Sequence, residues 1–332
     1  MTETDNLTLE VVIPAYNAES FIHETLYSLY MQSRPADIIT VVNDRSTDRT
    51  IDIVNLAARD MADRVCIRVL ENAGPRGPSA ARNTAIRNSS SDIIALMDSD
   101  DLAEERHHEI LISILKKCKN SVLSFGNSNV FNEKGIIIRD MFQKSGISSQ
   151  RYVEHPSGYR TLGERMFCLL TGSGVFTTSA CAFRRQHAIE AGLFDEEMMY
   201  SEDTDFFMRL SLLGDFYFTD ATITRKRVHG NNLTNPKNNV FFARGSSYSL
   251  ARIQEKSSSN VIHLTDAQKS ALSESLHSTL FGYLYASSLT GLSAYREAIA
   301  LAWRSGFPSL ALDPRHFLRL CLRNVLGRPG RS

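Results

Sequence analysis

The stretch Ile93-Ile94-Ala95-Leu96-Met97-Asp98-Ser99-Asp100-Asp101 runs five apolar residues straight into three carboxylates. An unbroken apolar run of this length suits a strand buried on both faces of a parallel sheet, where a half-exposed strand would alternate. The same form repeats toward the N-terminus. Leu9-Glu10-Val11-Val12-Ile13 is a β-branched run that Pro14 is expected to stop. A polar turn follows at residues 16–20, and then Phe21, Ile22, Leu26 and Leu29 fall at helical spacing. Residues 38–42 form the next expected strand, closing on the polar cluster 43–48. A helix is expected over 50–58 and another strand over 65–70. Strand and helix in alternation predict an α/β fold, a Rossmann-like doubly wound and mostly parallel sheet. Ligands of such sheets bind beyond the carboxyl ends of the strands, which directs attention to Tyr16, Asn17, Asp44, Asp98 and Asp100.

Beyond Leu102 the pattern is less regular. Helices are expected at 105–117, 161–170, 184–191 and 201–213, and strands at 122–131, 135–139, 179–183, 216–219 and 223–228, with a polar loop at 146–158. From about residue 239 the pattern is helical, with a polar linker near 254–260 and a break near Gly291. The expected organisation is an α/β domain over 1–238 and a helical C-terminal extension over 239–332. Lys and Arg together equal Asp and Glu, 37 of each, so no global charge draws the chain to nucleic acid. Five scattered cysteines without a CxxC pair argue against a disulfide framework or a structural zinc site and fit a reducing cytosol. Residues 1–10 lack the basic-then-apolar pattern of a signal peptide, and no apolar run is long enough to cross a bilayer. A cytoplasmic location is expected.

Four clusters offer chemistry. Three carboxylates after residue 97 repel one another: two unit charges ~4 Å apart cost about 4 kcal/mol at an effective dielectric of 20. Either a hard divalent cation, Mg²⁺ or Mn²⁺, offsets that repulsion, or Asp100 or Asp101 simply caps a following helix. Ser201-Glu202-Asp203-Thr204-Asp205 opens a helix, so its acids either complement the helix dipole or include a general base at Asp203. The loop at 72–78 runs into a small-residue helix carrying Ala80, Ala81, Arg82 and Asn83. It matches neither Walker A nor GxGxxG, so it either approaches a phosphate or packs tightly, and Arg82 can reach a carboxylate or a diphosphate. Arg225-Lys226-Arg227-Val228-His229 either folds over a diphosphate or is a solvated edge strand.

Taken in order, these segments resemble the family 2 inverting glycosyltransferases. Residues 11–19 resemble the opening strand and turn, 41–50 the second strand and acidic turn, and 80–83 the small-residue helix. Asp98-Ser99-Asp100 resembles the DxD element and Glu202-Asp203 the ED pair. The resemblance spans about residues 9–235. It implies a GT-A fold, a nucleotide-diphospho-sugar donor (UDP preferred), a divalent metal (Mn or Mg), and a glycan or lipid-linked acceptor, as in surface polysaccharide biosynthesis. It also implies roles. Pro14, Tyr16 and Glu19 line the base and ribose pocket, Asp44 meets the base, and Arg82 and Asp98 contribute to donor binding. Asp100 binds the metal, with Asp98 and His229 beside it. Asp203 deprotonates the acceptor, and Gly172, Ser173, Gly174 and Glu202 belong to the acceptor region. The sequence departs from the family at Asn43, where an acid is usual, and at Arg45, where glycine is usual. A non-glycine residue disfavours the positive φ that this turn needs.

In the tail, Arg315, Arg319 and Arg323 recur at i, i+4 and i+8 among apolar residues, and no acid follows Asp313. That stripe either faces solvent on a docked helix or makes a peripheral contact with the inner face of the plasma membrane. Two rival functions remain open. A sugar nucleotidyltransferase would want a Gly-rich, lysine-bearing turn after the first strand, which residues 14–19 lack. A non-catalytic nucleotide-sugar binder would have no need to keep both Asp100 and Asp203. Oligomeric state is not legible.

Overall fold

The computed structural model describes residues 7–326 apart from 173 and 231, and leaves side chains undescribed at 236, 317 and 322–326. The chain divides into two compact units after His229, where the sequence placed a boundary after residue 238.

The first unit opens with β1 (Leu9–Ala15), α1 (Ile22–Tyr30), β2 (Ile38–Asn43), α2 (Thr50–Asp60), β3 (Cys66–Glu71), α3 (Pro78–Arg87) and β4 (Ile93–Leu96). It continues through β5 (Leu102–Ala103), α4 (His107–Lys117), β6 (Ser121–Asn132), β7 (Gly135–Ile138), α5 (Met141–Ser145), β8 (Val153–Glu154), β9 (Arg160–Thr161), α6 (Arg165–Gly172), β10 (Cys181–Arg184), α7 (Arg185–Glu190), α8 (Glu202–Leu210) and β11 (Asp215–Arg227). One mixed sheet runs β3-β2-β1-β4-β10-β6-β11-β9-β8, with β5 paired to β11 and β7 to β6. Its first four strands are parallel, and β10 enters antiparallel to both β4 and β6. Val11, Ile13, Ile39, Val41, Ile93 and Ala95 are wholly buried under α1, α2 and α4, as their unbroken apolar runs required.

Strand register sets up the site. Ala15 pairs with Asn43, so Tyr16 and Asp44 leave adjacent strands side by side, and β4 ends one residue before Met97-Asp98. Pro14 does not stop β1. It lies opposite Val42, past the last β4 pairing at Val12–Leu96, where a missing N–H disrupts no ladder on the β4 side. The two strands expected over 216–228 are one strand, β11, with register shifts against β6 between Thr219 and Thr224. Bulges of this kind bend a strand without ending it. β11 carries the basic run back beside β5 and places residues 227–229 against the carboxylates after β4. The helix expected from 161 starts at Arg165, because Thr161 pairs with Tyr217 and Val153.

The second unit is helical: α9 (Asn239–Ser258), α10 (Asp266–Thr290), α11 (Leu292–Arg304), α12 (Pro308–Ala311) and α13 (Pro314–Leu326). Most of the expected linker at 254–260 is instead the end of α9, since Gln254, Glu255 and Lys256 are good helix formers. Thr265 and Gln268 form a reciprocal capping box at the start of α10. Arg315 and Arg319 lie over the rings of Phe281 and Tyr285, which fixes α13 along α10. No described helix is long and apolar enough to cross a membrane.

Candidate active site

The turns after β1 and β2 are laced together. Asn17 Oδ1 accepts from the Thr47 amide at 2.8 Å, the Ala18 amide donates to Thr50 Oγ1 at 2.8 Å, and Glu19 accepts from the Arg49 amide at 3.0 Å. Glu19 thus holds the entry to α2. Tyr16 is exposed beyond Pro14, and the Arg76 guanidinium lies 3.9 Å from its ring centroid. Asp44 is buried and accepts from Asn72 Nδ2 at 2.6 Å and from the Gly77 amide at 2.8 Å. Arg45 does adopt the positive φ, at 65°, in place of the usual glycine. Its guanidinium donates to Gly74 O at 2.8 Å and pairs with Asp44, which offsets the strain of about 1–2 kcal/mol. The turn therefore survives the substitution that put it in doubt.

Small residues bring α3 and the segment before α8 together. Asn83 exchanges hydrogen bonds with Phe194, donating to its carbonyl at 2.8 Å and accepting from its amide at 3.0 Å, and Ser79 donates to Met198 O at 3.0 Å. That anchorage sets Glu202, in the first turn of α8, beside Arg82. The buried Arg82 guanidinium donates to Glu202 Oε1 at 3.0 Å and to Asp98 Oδ1 at 2.9 Å, linking the acidic run after β4 to the acidic pair of α8. Burial works against the Arg82 charge, and Asp98, Glu202 and Asp203 more than restore it. Burial, and then the neighbouring Asp203, push Glu202 up to about 7. Glu202, expected among the acceptor residues, is thus a buried partner of Arg82. Ser201 sits at the helix N-cap with φ 61° but makes no side-chain cap.

The three carboxylates take separate partners. Asp98 faces Arg82, and its amide donates to Ser179 Oγ at 3.0 Å. Asp100 pairs with His229 Nε2 at 2.8 Å, and that imidazole stacks on Phe21 at 4.4 Å. Asp101 caps no helix, because β5 follows it. It is buried, accepting from Ser179 Oγ at 2.6 Å and from the Arg227 amide at 2.8 Å. The basic run is likewise no solvated edge: residues 225–227 pair with β6, Arg225 also pairs with Leu102 of β5, and Arg227 donates to Asp100 O at 2.9 Å. Asp98 and Asp100 keep 33% and 20% of their side chains exposed. Among the described residues no three His, Cys, Asp or Glu side chains converge as a ready-made metal cage. Asp100 and His229 do come together, while Asp98 turns to Arg82.

Asp203 is half-buried at the mouth of α8. Its Oδ2 accepts from Thr178 Oγ1 at 2.9 Å and its Oδ1 from the Thr204 amide at 2.7 Å. Gly172 ends α6 and Gly174 follows it, and a Cβ on either would meet nothing within 4 Å. Ser173 lies outside the described residues. Sequence reasoning did not single out Arg76, Thr178 or Ser179. The Gly/Pro loop hinted at the first, but no spacing singles out the two hydroxyls.

The sequence model of the glycosyl transferase family 2 matches residues 10–192. An uncharacterized glycosyltransferase of Rickettsia typhi is 27% identical over 228 residues, covering 68% of this chain and 66% of that protein. The UDP-Glc:alpha-D-GlcNAc-diphosphoundecaprenol beta-1,3-glucosyltransferase WfgD of Escherichia coli is 30% identical over 133 residues, 40% of this chain and 50% of its own length. The chain thus spans no more than two thirds of either relative. Two solved structures share the fold. TarS 1–349 of S. aureus in complex with UDP-GlcNAc has TM-score 0.55 and 17% identity, covering 94% of this chain and 92% of its own. The mannosyltransferase PcManGT of Pyrobaculum calidifontis, with GDP-Man and Mn²⁺, has TM-score 0.57 and 17% identity, covering 99% and 90%.

Proposed function

The chain belongs to glycosyl transferase family 2, and from that premise we propose that it moves a sugar from a nucleotide-diphospho-sugar to an acceptor hydroxyl with inversion at the anomeric carbon. The observation that carries the reading is Arg82 held between Asp98 and Glu202 at 2.9 and 3.0 Å, which ties the diphosphate-side acids to the helix turn that bears Asp203. Asp203 is the general base. An acceptor hydroxyl cannot ionise at neutral pH, so a positioned carboxylate takes its proton as it attacks. Attack opposite the leaving group requires the base and the diphosphate to lie on opposite sides of the sugar. Tyr16 and Asp44 form the base and ribose end of the donor site, with Pro14 shaping the turn. Gly172 and Gly174 leave room for an acceptor. UDP is the preferred nucleotide and a glycan or lipid-linked acceptor the preferred substrate, in keeping with the activity named for WfgD.

The donor set suits a divalent ion. Mg²⁺ and Mn²⁺ sites commonly use one or two protein carboxylates and leave the remaining positions to phosphate oxygens and water. The partly exposed Asp100 and Asp98, with His229 against Asp100, meet that requirement. When bound, such an ion supplies Lewis-acid stabilisation of the departing nucleoside diphosphate. The proposed place of work is the cytoplasmic side of the membrane. What supports a peripheral contact there is the apolar surface of α13, where Leu318 is 59% exposed while Arg315 and Arg319 lie over the rings of α10.

A thermal-shift screen of nucleotide-sugars with and without Mn²⁺ tests the donor assignment. A ligand at ~100 times its Kd stabilises by about 2.7 kcal/mol. Stabilisation by UDP-sugars that depends on Mn²⁺, with UDP as released product, is the expected result. Pyrophosphate released from a nucleoside triphosphate and a sugar phosphate would favour the nucleotidyltransferase, a shift with no UDP released would favour the non-catalytic binder, and no shift with any nucleotide-sugar would remove the donor assignment itself.

A further inference from the structure

We propose that Thr178 and Ser179, consecutive residues of one turn, are positioning residues that hold the base and the diphosphate-side acids in register. The inference rests on Asp203 being the base. Thr178 Oγ1 donates to Asp203 Oδ2 at 2.9 Å. Ser179 Oγ donates to Asp101 Oδ2 at 2.6 Å and accepts from the Asp98 amide at 3.0 Å. Two neighbouring hydroxyls thus reach opposite ends of the site.

The turn they stand on is firmly held. Ser179 O accepts from His107 Nε2 at 2.9 Å and from Thr224 Oγ1 at 3.1 Å, and Thr178 O accepts from Cys181 Sγ at 3.2 Å. Burial pulls His107 down to about 4, so its imidazole is neutral and serves as a fixed N–H donor. Cys181 opens β10, which is paired on both sides in the middle of the sheet. Both hydroxyls are buried among these partners.

The two contacts have different consequences. Asp203 has its Oδ1 on the Thr204 amide, and Thr178 holds the second oxygen. A carboxylate held at both oxygens cannot swing about its χ2, and a misplacement of about 1 Å costs on the order of 10²-fold in rate. Ser179 acts on the backbone and buried acid of the run that carries Asp98 and Asp100, so its loss falls on donor binding.

Thr178→Val removes the hydroxyl at nearly constant volume, and Thr178→Ser keeps it. Turnover is read as UDP release from UDP-N-acetylglucosamine and UDP-glucose with Mn²⁺, and affinity as the Kd of UDP with Mn²⁺ by calorimetry. Thr178→Val is expected to lower kcat by roughly 10- to 100-fold with the UDP Kd within about twofold of wild type, and Thr178→Ser to restore most of the rate. Ser179→Ala is expected to weaken UDP binding by about tenfold. The proposal is overturned if Thr178→Val keeps full kcat, if it loses kcat and UDP affinity together, or if Thr178→Ser is no better than Thr178→Val. Asp203→Asn separates the two layers. Full turnover in that variant removes the base reading itself, whereas an inert Asp203→Asn beside a fully active Thr178→Val removes only the register role.

Discussion

Glu202→Gln offers a test in which the structure dictates both size and sign. The Glu202 carboxyl is buried on α8, next to Asp203, and bound to Arg82 at 3.0 Å. Burial and Asp203 raise it from an ordinary 4.5 to about 7, against the pull of Arg82. Between those values the folded protein binds a proton that the unfolded chain has released, so raising the pH removes stability. The contribution is fully present below about 4.5 and is lost as pH rises through about 7. At about 1.4 kcal/mol per pH unit the loss is roughly 3 kcal/mol. Glutamine does not titrate, so the stability of Glu202→Gln minus that of wild type should rise by roughly that amount from pH 4.5 to 8, whatever its fixed offset from the altered Arg82 contact. The measurement is guanidinium unfolding at several pH values, followed by hydrogen exchange at the α8 amides. Fluorescence of the single tryptophan, Trp303, reports on the other compact unit and would miss the effect. A stability difference that stays flat with pH refutes the assignment of a raised Glu202.

Further outcomes follow from the same geometry. Asp203→Asn should reduce transfer by about 10²–10⁴-fold while UDP binding with Mn²⁺ is retained, which single-turnover kinetics and calorimetry can separate. Gly74→Ala should destabilise the nucleotide-side loop by about 1–3 kcal/mol, since the new Cβ would stand 2.8 Å from Glu196 Oε2 and 2.9 Å from Ala80 Cβ; an unchanged melting temperature would mean that the loop can yield. Arg76→Ala should leave the fold intact and alter UDP affinity, because the cation it removes lies 3.9 Å from the Tyr16 ring in the proposed base pocket. Leu318→Glu should weaken flotation with vesicles containing anionic lipid, and equal flotation of variant and wild type would remove α13 from any membrane role.

The first half of the fold was legible because burial on both faces leaves no choice of residue. That holds for the runs that became β1, β2 and β4; β3, a half-buried edge strand carrying Arg68, was legible from its place in the strand–helix alternation, and each of the four ended at a polar cluster that the structure brings to one edge. The second half was less so. β11 carries Thr219, Asp220 and Ala221 through a bulge, so its pattern reads as two strands and not one. β8 and β9 are two residues each and owe their existence to pairing, which local periodicity does not record.

The site shows the same division between what a motif states and what packing adds. The carboxylates were visible as a charge cluster, and their repulsion implied that something offsets it. The sequence offered a metal or a helix cap. The fold distributes the charges: Asp98 to Arg82, Asp101 to Ser179 and the Arg227 amide, Asp100 to His229. Of the three, Asp98 and Asp100 keep side-chain surface exposed and Asp101 does not, so a cation arriving with a diphosphate would meet two carboxylates and not three. Asp101, one of the two aspartates expected as a cap, is the one taken out of solvent. Its neutral partner is a serine that lies 78 positions along the chain, a distance across which spacing carries no signal. Arg45 argues the same point in reverse. By local rules it should have broken the turn, yet its own guanidinium bonds to Gly74 and Asp44 hold the conformation that its backbone disfavours. A departure from a motif is therefore weighed by what the substituted side chain can reach, and at this turn Arg45 reaches the loop that closes over Asp44.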